Sequence, residues 1–467
     1  MRKISKAAVA CLLITARMFA QETEAPTPRE KALLDRIDQL EHRLAAIEQK
    51  LGEPTAPAAV APVASTMAPA PENAQPSGTP AVDAAQTTPQ TTPTLPMLPG
   101  GTTLNVLFDG YYDYNFNYPI GRVNLLRAYD VLSNSFNLNQ ADVVIENAPD
   151  AANGKRWGAR VDLQWGQATE TLQGNPANEP RPGIYQNIFQ AFGTYVFPVA
   201  NNGLTIDFGK WSSSLGIEGN YNKDQINYSR SYWFDFLPFY HEGLRAAYKI
   251  NDQVTFNYWM DNGTQQTEAF NNYKDELFGF TIQPAKTVTW NVNYYLGQEH
   301  PDTIYNVTGP TAVGDLQGVG FTPIVNPPKG KLDILDSYAI WQASPKWTVA
   351  AEADYVVERY QTTSAPVETW GGALYARDQV TSRVALGARA EYMHDGGLFS
   401  GVDQALKETT FTFEYKLMDN LIVRDEWRRD FSNHPYFYTS VGDILKKEQN
   451  TATMGLIFWF GQKAGSW

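Results

Sequence analysis

The sequence predicts an all-β transmembrane fold, an antiparallel barrel of about sixteen strands, preceded by a short coiled-coil helix and a disordered linker. Three observations carry this. Amphipathic strands recur from residue 102 to residue 461. The links joining them alternate between very short and long, and an export leader stands in front of them. Residues 410–417 illustrate the alternation: Phe411, Phe413, Tyr415 and Leu417 share one face, and Thr410, Thr412, Glu414 and Lys416 share the other. Together these features point to an outer-membrane barrel enclosing a pore.

Composition bounds the alternatives. Mean hydropathy is negative, as a barrel allows, because half of each strand faces a watery lumen. No apolar run beyond the N-terminus is long enough for a membrane helix. A net charge of −13 disfavours nucleic acid as a partner, since that needs a basic footprint. The single cysteine, Cys11, falls in the leader, so the mature chain is expected to have no disulfide, thiol catalysis or cysteine metal site.

Taken in order, residues 1–20 read as a signal peptide. Arg2, Lys3 and Lys6 precede an apolar stretch over 7–16, and cleavage is expected after Ala20. A lipoprotein reading through Cys11 is the alternative, with only four apolar residues before it. Over residues 28–51 the period changes: Leu33, Ile37, Leu40, Leu44, Ile47 and Leu51 are spaced 4, 3, 4, 3, 4. That is a coiled-coil seam for self-association in the periplasm, or a solitary amphipathic helix, since short helices are marginal alone. Residues 52–101 are rich in Pro, Ala and Thr, have no periodicity and cannot bury a core. Fully extended, such a tether spans roughly 140 Å at ~3.1 Å per residue.

The barrel occupies 102–467. Strands are expected at 103–116, 135–146, 156–166, 188–197, 203–212, 239–250, 253–261, 275–282, 287–297, 332–343, 347–358, 370–378, 381–394, 406–417, 421–431 and 450–461. Links at 251–252, 283–286, 344–346 and 418–420 are tight turns of Asn, Asp and Pro, whereas 213–238, 300–331 and 432–449 are long. Short links at one end and long at the other mark the two ends of a membrane barrel. Aromatics cluster at strand ends, with Tyr111, Tyr112, Tyr114, Phe116 and Tyr118 at one and Phe458, Trp459 and Phe460 at another. Tyr and Trp suit a membrane interface, pairing an apolar ring with a polar tip.

The stretches Phe136-Asn137-Leu138-Asn139-Gln140-Ala141-Asp142, Arg160-Val161-Asp162-Leu163-Gln164-Trp165-Gly166 and Asp207-Phe208-Gly209-Lys210-Trp211 resemble the OmpL-like putative beta-barrel porin family. Arg389-Ala390-Glu391-Tyr392 and Arg424-Asp425-Glu426-Trp427-Arg428-Arg429-Asp430 are similar to its later strands. The resemblance covers residues 102–461 and rests on the order of the motifs. It implies an outer-membrane porin. Phe460 closes the last strand, as an assembly signal would, but residues 462–467 extend beyond it, leaving open whether Phe460 or Trp467 serves.

Lumen chemistry follows from strand faces. On 421–431, Arg424, Glu426, Arg428 and Asp430 form a charged ladder opposite Leu421, Val423 and Trp427. Arg160 with Asp162, Glu352 with Asp354, Arg389 with Glu391, Glu414 with Lys416 and Arg245 with Lys249 give similar faces. Arg or Lys on the lipid side costs ~2–4 kcal/mol at the midplane, so these faces turn inward. They form either a salt-bridged scaffold or an electrostatic filter. Residues 213–238 are the third long link if the first strand rises from the periplasm. By fold-level analogy such a loop folds inward and narrows the channel. Its Glu218, Lys223, Asp224, Arg230 and Asp235, set among aromatics, suit contact with sugars or small zwitterions. An external lid is the alternative.

The expected function is passive diffusion of small hydrophilic solutes across the outer membrane. An anion- or phosphate-selective porin and a structural tether to the cell wall are the alternatives. The first would need a strongly cationic pore, whereas these faces mix both charges. Expected partners are outer-membrane lipid, the solutes, further copies in a homotrimer, and peptidoglycan through the N-terminal helix. No catalytic, cofactor or metal set is expected: His42, His241, His300, His394 and His434 fall in no nucleophile motif.

Overall fold

The computed structural model describes residues 99–172, 182–199, 203–307, 319–442, 444–463 and 465–467. The expected leader, coiled coil and nearly all of the linker lie outside the described residues. Alternation folds the chain as period-two physics requires. The strands are β1 (Thr103–Asn115), β2 (Ser135–Asn147), β3 (Trp157–Trp165), β4 (Ile188–Phe197), β5 (Leu204–Ser212) and β6 (Tyr240–Lys249). They continue as β7 (Val254–Asp261), β8 (Asp275–Ala285), β9 (Val288–Gly297), β10 (Thr303–Val307), β11 (Val319–Pro323) and β12 (Leu332–Gln342). The last are β13 (Trp347–Glu358), β14 (Val367–Asp378), β15 (Val384–Gly396), β16 (Asp403–Met418), β17 (Leu421–Ser432) and β18 (Glu448–Gly461).

Sixteen of them close into an antiparallel barrel in which every barrel strand pairs with its neighbours in sequence, β9 passing directly to β12. Closure joins β1 to β18, from Asn105 opposite Gly461 to Asn115 opposite Thr451. Strands β10 and β11 form a separate hairpin inside the long link of residues 300–331. The turn expected at 283–286 is tighter: β8 runs on to Ala285, and the register slips between Ile282 and Ala285. Pro284 lies in that slip, where a residue without an N–H costs no ladder bond.

The barrel is inside out relative to a soluble sheet. Along β13, Thr348, Ala350, Glu352, Asp354 and Val356 are buried, while Trp347, Val349, Ala351, Ala353 and Tyr355 are exposed. Charged side chains turned inward and aromatic or aliphatic ones turned outward are what a lipid-facing wall demands. On the outer face Phe411 stacks beside Trp427 at 6.1 Å, and Phe256 meets Phe280 at 5.4 Å.

Candidate functional site

The ladder of β17 is a rail for the loop 213–239. Arg424 donates to the carbonyls of Asn222, Gln225 and Asn227 at 2.8, 2.5 and 3.2 Å. Glu426 accepts from the backbone of Tyr228 at 2.6 Å and Ser229 at 2.9 Å. Arg428 donates to the Arg230 carbonyl, and Asp430 accepts from the Tyr232 hydroxyl at 2.9 Å. Alternate residues of one strand face thus bind successive stretches of the loop. Six residues of strand rise roughly 20 Å, so the contact follows much of the barrel wall. The loop folds inward; the external-lid alternative is overturned.

Other strands grip the loop from around the barrel. Asp109 on β1 accepts from the Asn222 amide at 2.6 Å and the Tyr228 hydroxyl at 2.9 Å. Gln140 on β2 donates to Asn220 Oδ1 at 2.8 Å, and Asp162 on β3 accepts from the Tyr221 hydroxyl. On β15, Glu391 accepts from the backbone of Tyr232 and Trp233 at 2.9 and 3.1 Å. Arg389 donates to the Ser229 carbonyl at 2.8 Å and pairs with Glu218 of the loop at 2.9 Å and with Glu408 at 2.6 Å. Glycines let the backbones approach. A Cβ on Gly455 of β18 would stand 2.3 Å from the Tyr228 ring, and one on Gly387 of β15 would stand 2.8 Å from the Ile226 carbonyl. An apolar cluster of Trp211, Leu215, Trp233, Leu237, Trp259, Leu277 and Tyr295 fastens the loop to the β7–β9 side.

Within the loop, Arg230 is a strut. Its guanidinium donates to Gly219 O, Asn220 O, Tyr228 O and Asn222 Oδ1, and it lies 4.7 Å from the Tyr129 ring centroid. With 1% of its surface exposed, it holds the loop together rather than facing a solute. Glu218 accepts from Ser231 N at 2.6 Å. Burial raises the Asp235 carboxyl to about 7, against the pull of Arg428 and Arg127. Lys223 pairs with Asp224 at 2.8 Å, donates to the Gly465 carbonyl at 2.8 Å and lies over the Trp467 ring. The C-terminal residues therefore turn back into the short-link mouth, and the Trp467 ring meets Tyr221 at 5.7 Å. Phe460 instead stays on the outer face beside Phe458.

The sequence-derived lumen residues divide by exposure. Arg160 with Asp162 (2.9 Å), Arg389, Glu391, Glu352, Asp354, Arg424, Glu426 and Arg428 with Asp430 (2.8 Å) are buried; Asp354 alone among them lacks any hydrogen-bond partner. Glu414 is bracketed by Arg377 at 2.7 Å and Arg424 at 2.8 Å. Arg245, paired with Asp207 at 2.7 Å, keeps 15% side-chain exposure and stands apart from the rail. Beside it, Asn257 donates to Thr281, and the Thr281 hydroxyl donates to Asn291 at 2.8 Å, an uncharged polar band across β7–β9.

Sequence reasoning missed the part played by the first long link. Arg127 there is bound to Asp430 at 2.6 Å, and the Tyr129 hydroxyl donates to Asn220 at 2.6 Å, so residues 116–134 also turn inward and brace the loop. The density of Arg, Tyr and Asp in Arg127-Ala128-Tyr129-Asp130 was the available signal.

The profile of the family described as "Putative beta-barrel porin-2, OmpL-like" matches residues 101–460. Among solved structures, the anion-selective porin from Comamonas acidovorans is 9% identical with a TM-score of 0.48, over 77% of this chain and 99% of that one. OprB of Pseudomonas putida is 11% identical at 0.47, over 77% and 94%. OmpT of Vibrio cholerae, solved in trimer form, is 10% identical at 0.45, over 77% and 99%. No curated protein matches the chain.

Proposed function

This chain belongs to the putative beta-barrel porin-2, OmpL-like family of the outer membrane, and from that premise we propose how it conducts. Solutes pass between the docked loop and the wall of β5–β9, past Arg245, Asp207 and the Asn257–Thr281–Asn291 band. The observation that supports this is side-chain exposure: Arg424 and Arg428 are sealed under the loop at 2% and 1%, while Arg245 and Asp207 keep 15% and 11% open on the wall away from the rail; Arg377 and Glu414, at 18% and 13%, open only toward the short-link end. A pathway lined by the neutralised Arg245–Asp207 pair and uncharged amide and hydroxyl groups, with Lys249 paired to Asp252 at the short-link end, suits small hydrophilic solutes of either charge. The same pairing speaks against a strongly anion-selective pore.

Planar-bilayer recording of the purified, refolded protein tests this. The proposal expects steady ohmic channels with weak ion selectivity. Strong anion selectivity would favour the phosphate-type reading, and absence of channels from folded protein would favour the tether. Residues 28–51 are read as a periplasmic helix that strengthens association or reaches the cell wall, and the barrel as a homotrimer. Removing residues 21–100 should leave channel formation intact and reduce cross-linked oligomer or peptidoglycan retention. A non-enzymatic role accords with the membership, and buried carboxylates such as Asp109, Glu391 and Glu426 serve as loop anchors.

A further inference from the structure

Near its start the loop meets three buried carboxylates, Asp336 on β12 and Glu352 and Asp354 on β13. Asp336 lies directly opposite Asp354 in the register. One oxygen from each of the three lies within 4.8 Å of the others. They are 0%, 5% and 4% exposed. Their surroundings differ. Asp336 accepts from Gly216 N at 3.0 Å and from the Asn293 amide at 2.7 Å. Glu352 accepts from Ile217 N at 3.0 Å and from the Tyr375 hydroxyl at 3.0 Å. Neither oxygen of Asp354 has a hydrogen-bond partner.

Among the described residues none of the three is ion-paired, and Arg389 on β15 is committed to Glu408 and Glu218. Like charges opposed across a ladder repel, and a buried charge persists only when something compensates it. The Asp354 carboxylate faces the same space as the other two and meets no amide, hydroxyl or basic donor, so its charge is compensated either by a proton shared with Asp336 across the ladder or by a bound cation. We propose that Asp336, Glu352 and Asp354 bind a divalent cation, calcium in preference to magnesium. The donors are hard oxygens. Their irregular placement on two strands suits the flexible coordination of calcium better than the strict octahedron of magnesium.

The role of the cation follows from what the same carboxylates hold. Asp336 and Glu352 each accept a loop N–H, so an ion bound between them ties residues 216–217 to the wall. Gly216 adopts φ +80°, and a Cβ there would stand 3.0 Å from Glu352 Oε1. The backbone must come this close for both N–H groups to reach. The loop is then fastened at two places, by the β17 rail near its middle and by a cation at its root. Glu352 and Asp354 are legible in sequence as one strand face, but Asp336 belongs to another strand and joins them only through the register.

Terbium luminescence on refolded, lipopolysaccharide-free protein tests the site, since Tyr375 beside Glu352 is placed to sensitise a bound lanthanide. The expected result is one saturable terbium site per barrel, displaced by calcium, and a melting temperature that rises with calcium in the wild type. Asp354→Asn should lose both responses; Asp354 accepts no bond from the loop or from any amide or hydroxyl, and Asn can still bond Asp336, so the fold should persist. Glu352→Gln should weaken both, and Tyr375→Phe should lower the emission while keeping the calcium shift. Equal terbium binding in wild type and Asp354→Asn, or a wild-type melting temperature indifferent to calcium, overturns the proposal and leaves the carboxylates neutralised by shared protons. The wild-type calcium titration decides the matter even if a variant fails to fold.

Discussion

Replacing Glu426 with Gln should loosen the middle of the loop while leaving the barrel intact. The carboxylate accepts three hydrogen bonds, from Tyr228 N, Ser229 N and the Thr412 hydroxyl, at 2.6, 2.9 and 2.6 Å. Gln keeps one acceptor oxygen, and its amide turns a donor toward a buried N–H. One charge-assisted bond is lost, about 1.5–3 kcal/mol, and one buried N–H is left unpaired, about 1–3 kcal/mol. A local cost of about 3–5 kcal/mol corresponds to a rise of roughly 100- to 1,000-fold or more in the open population of the segment, at 1.4 kcal/mol per tenfold. Amide exchange at Tyr228 and Ser229 should accelerate by that order, while amides of β17 such as Trp427, in the ladder with β16 and β18, stay protected. Heat-modifiable mobility on gels should match the wild type, and single channels should show added excursions to higher conductance. Unchanged exchange at Tyr228 and Ser229 would refute the rail. Equal acceleration throughout the barrel would mean that Glu426 supports the fold as a whole.

Two further outcomes separate outer face from lumen and burial from charge. Val423 lies on the outer face between Tyr415 and Leu456, two residues from the short-link end of β17, so Val423→Arg should cost less than the ~2–4 kcal/mol of the midplane yet slow assembly, read as a reduced heat-modifiable form. Asp235 has a folded-state value of about 7, above its ordinary 3.8, so its charge opposes folding: the penalty is absent below pH 3.8, grows through that window and is complete above pH 7. Asp235→Asn should therefore raise the melting temperature at pH 8 and lose that advantage at pH 3.5; a pH-independent effect would show that burial does not perturb this carboxyl.

The barrel was legible because its signals are local. A period of two, such as Phe411-Thr412-Phe413-Glu414, needs no knowledge of distant residues, and links that alternate in length report the two ends of the wall. The inward sense of the ladder was legible from the cost of placing Arg424 and Arg428 in lipid. What the ladder binds was not. The carbonyls of Asn222, Gln225 and Asn227 lie 197–202 residues from Arg424, and carbonyls carry no sequence signature. Arg230 illustrates the same limit: charge and position in a long link suggest a filter, whereas its contacts with four loop acceptors make it internal scaffolding. The β10–β11 hairpin escaped because strands of five residues give too few alternations to stand out. Wall glycines such as Gly455 read as weak strand positions until the Tyr228 ring is seen against them.

Docked inside the closed barrel, the loop of residues 213–239 should set the width of the pore. Single-channel conductance of a variant lacking residues 220–233 tests it most directly. Removing that stretch deletes the groups bound by Arg424, Glu426, Asp109 and Glu391 and opens the lumen along β17. Conductance should rise and larger sugars should enter liposomes bearing the variant, with heat-modifiable folding retained. A folded deletion variant with wild-type conductance and the wild-type solute size limit would place the constriction in the barrel wall instead of the loop.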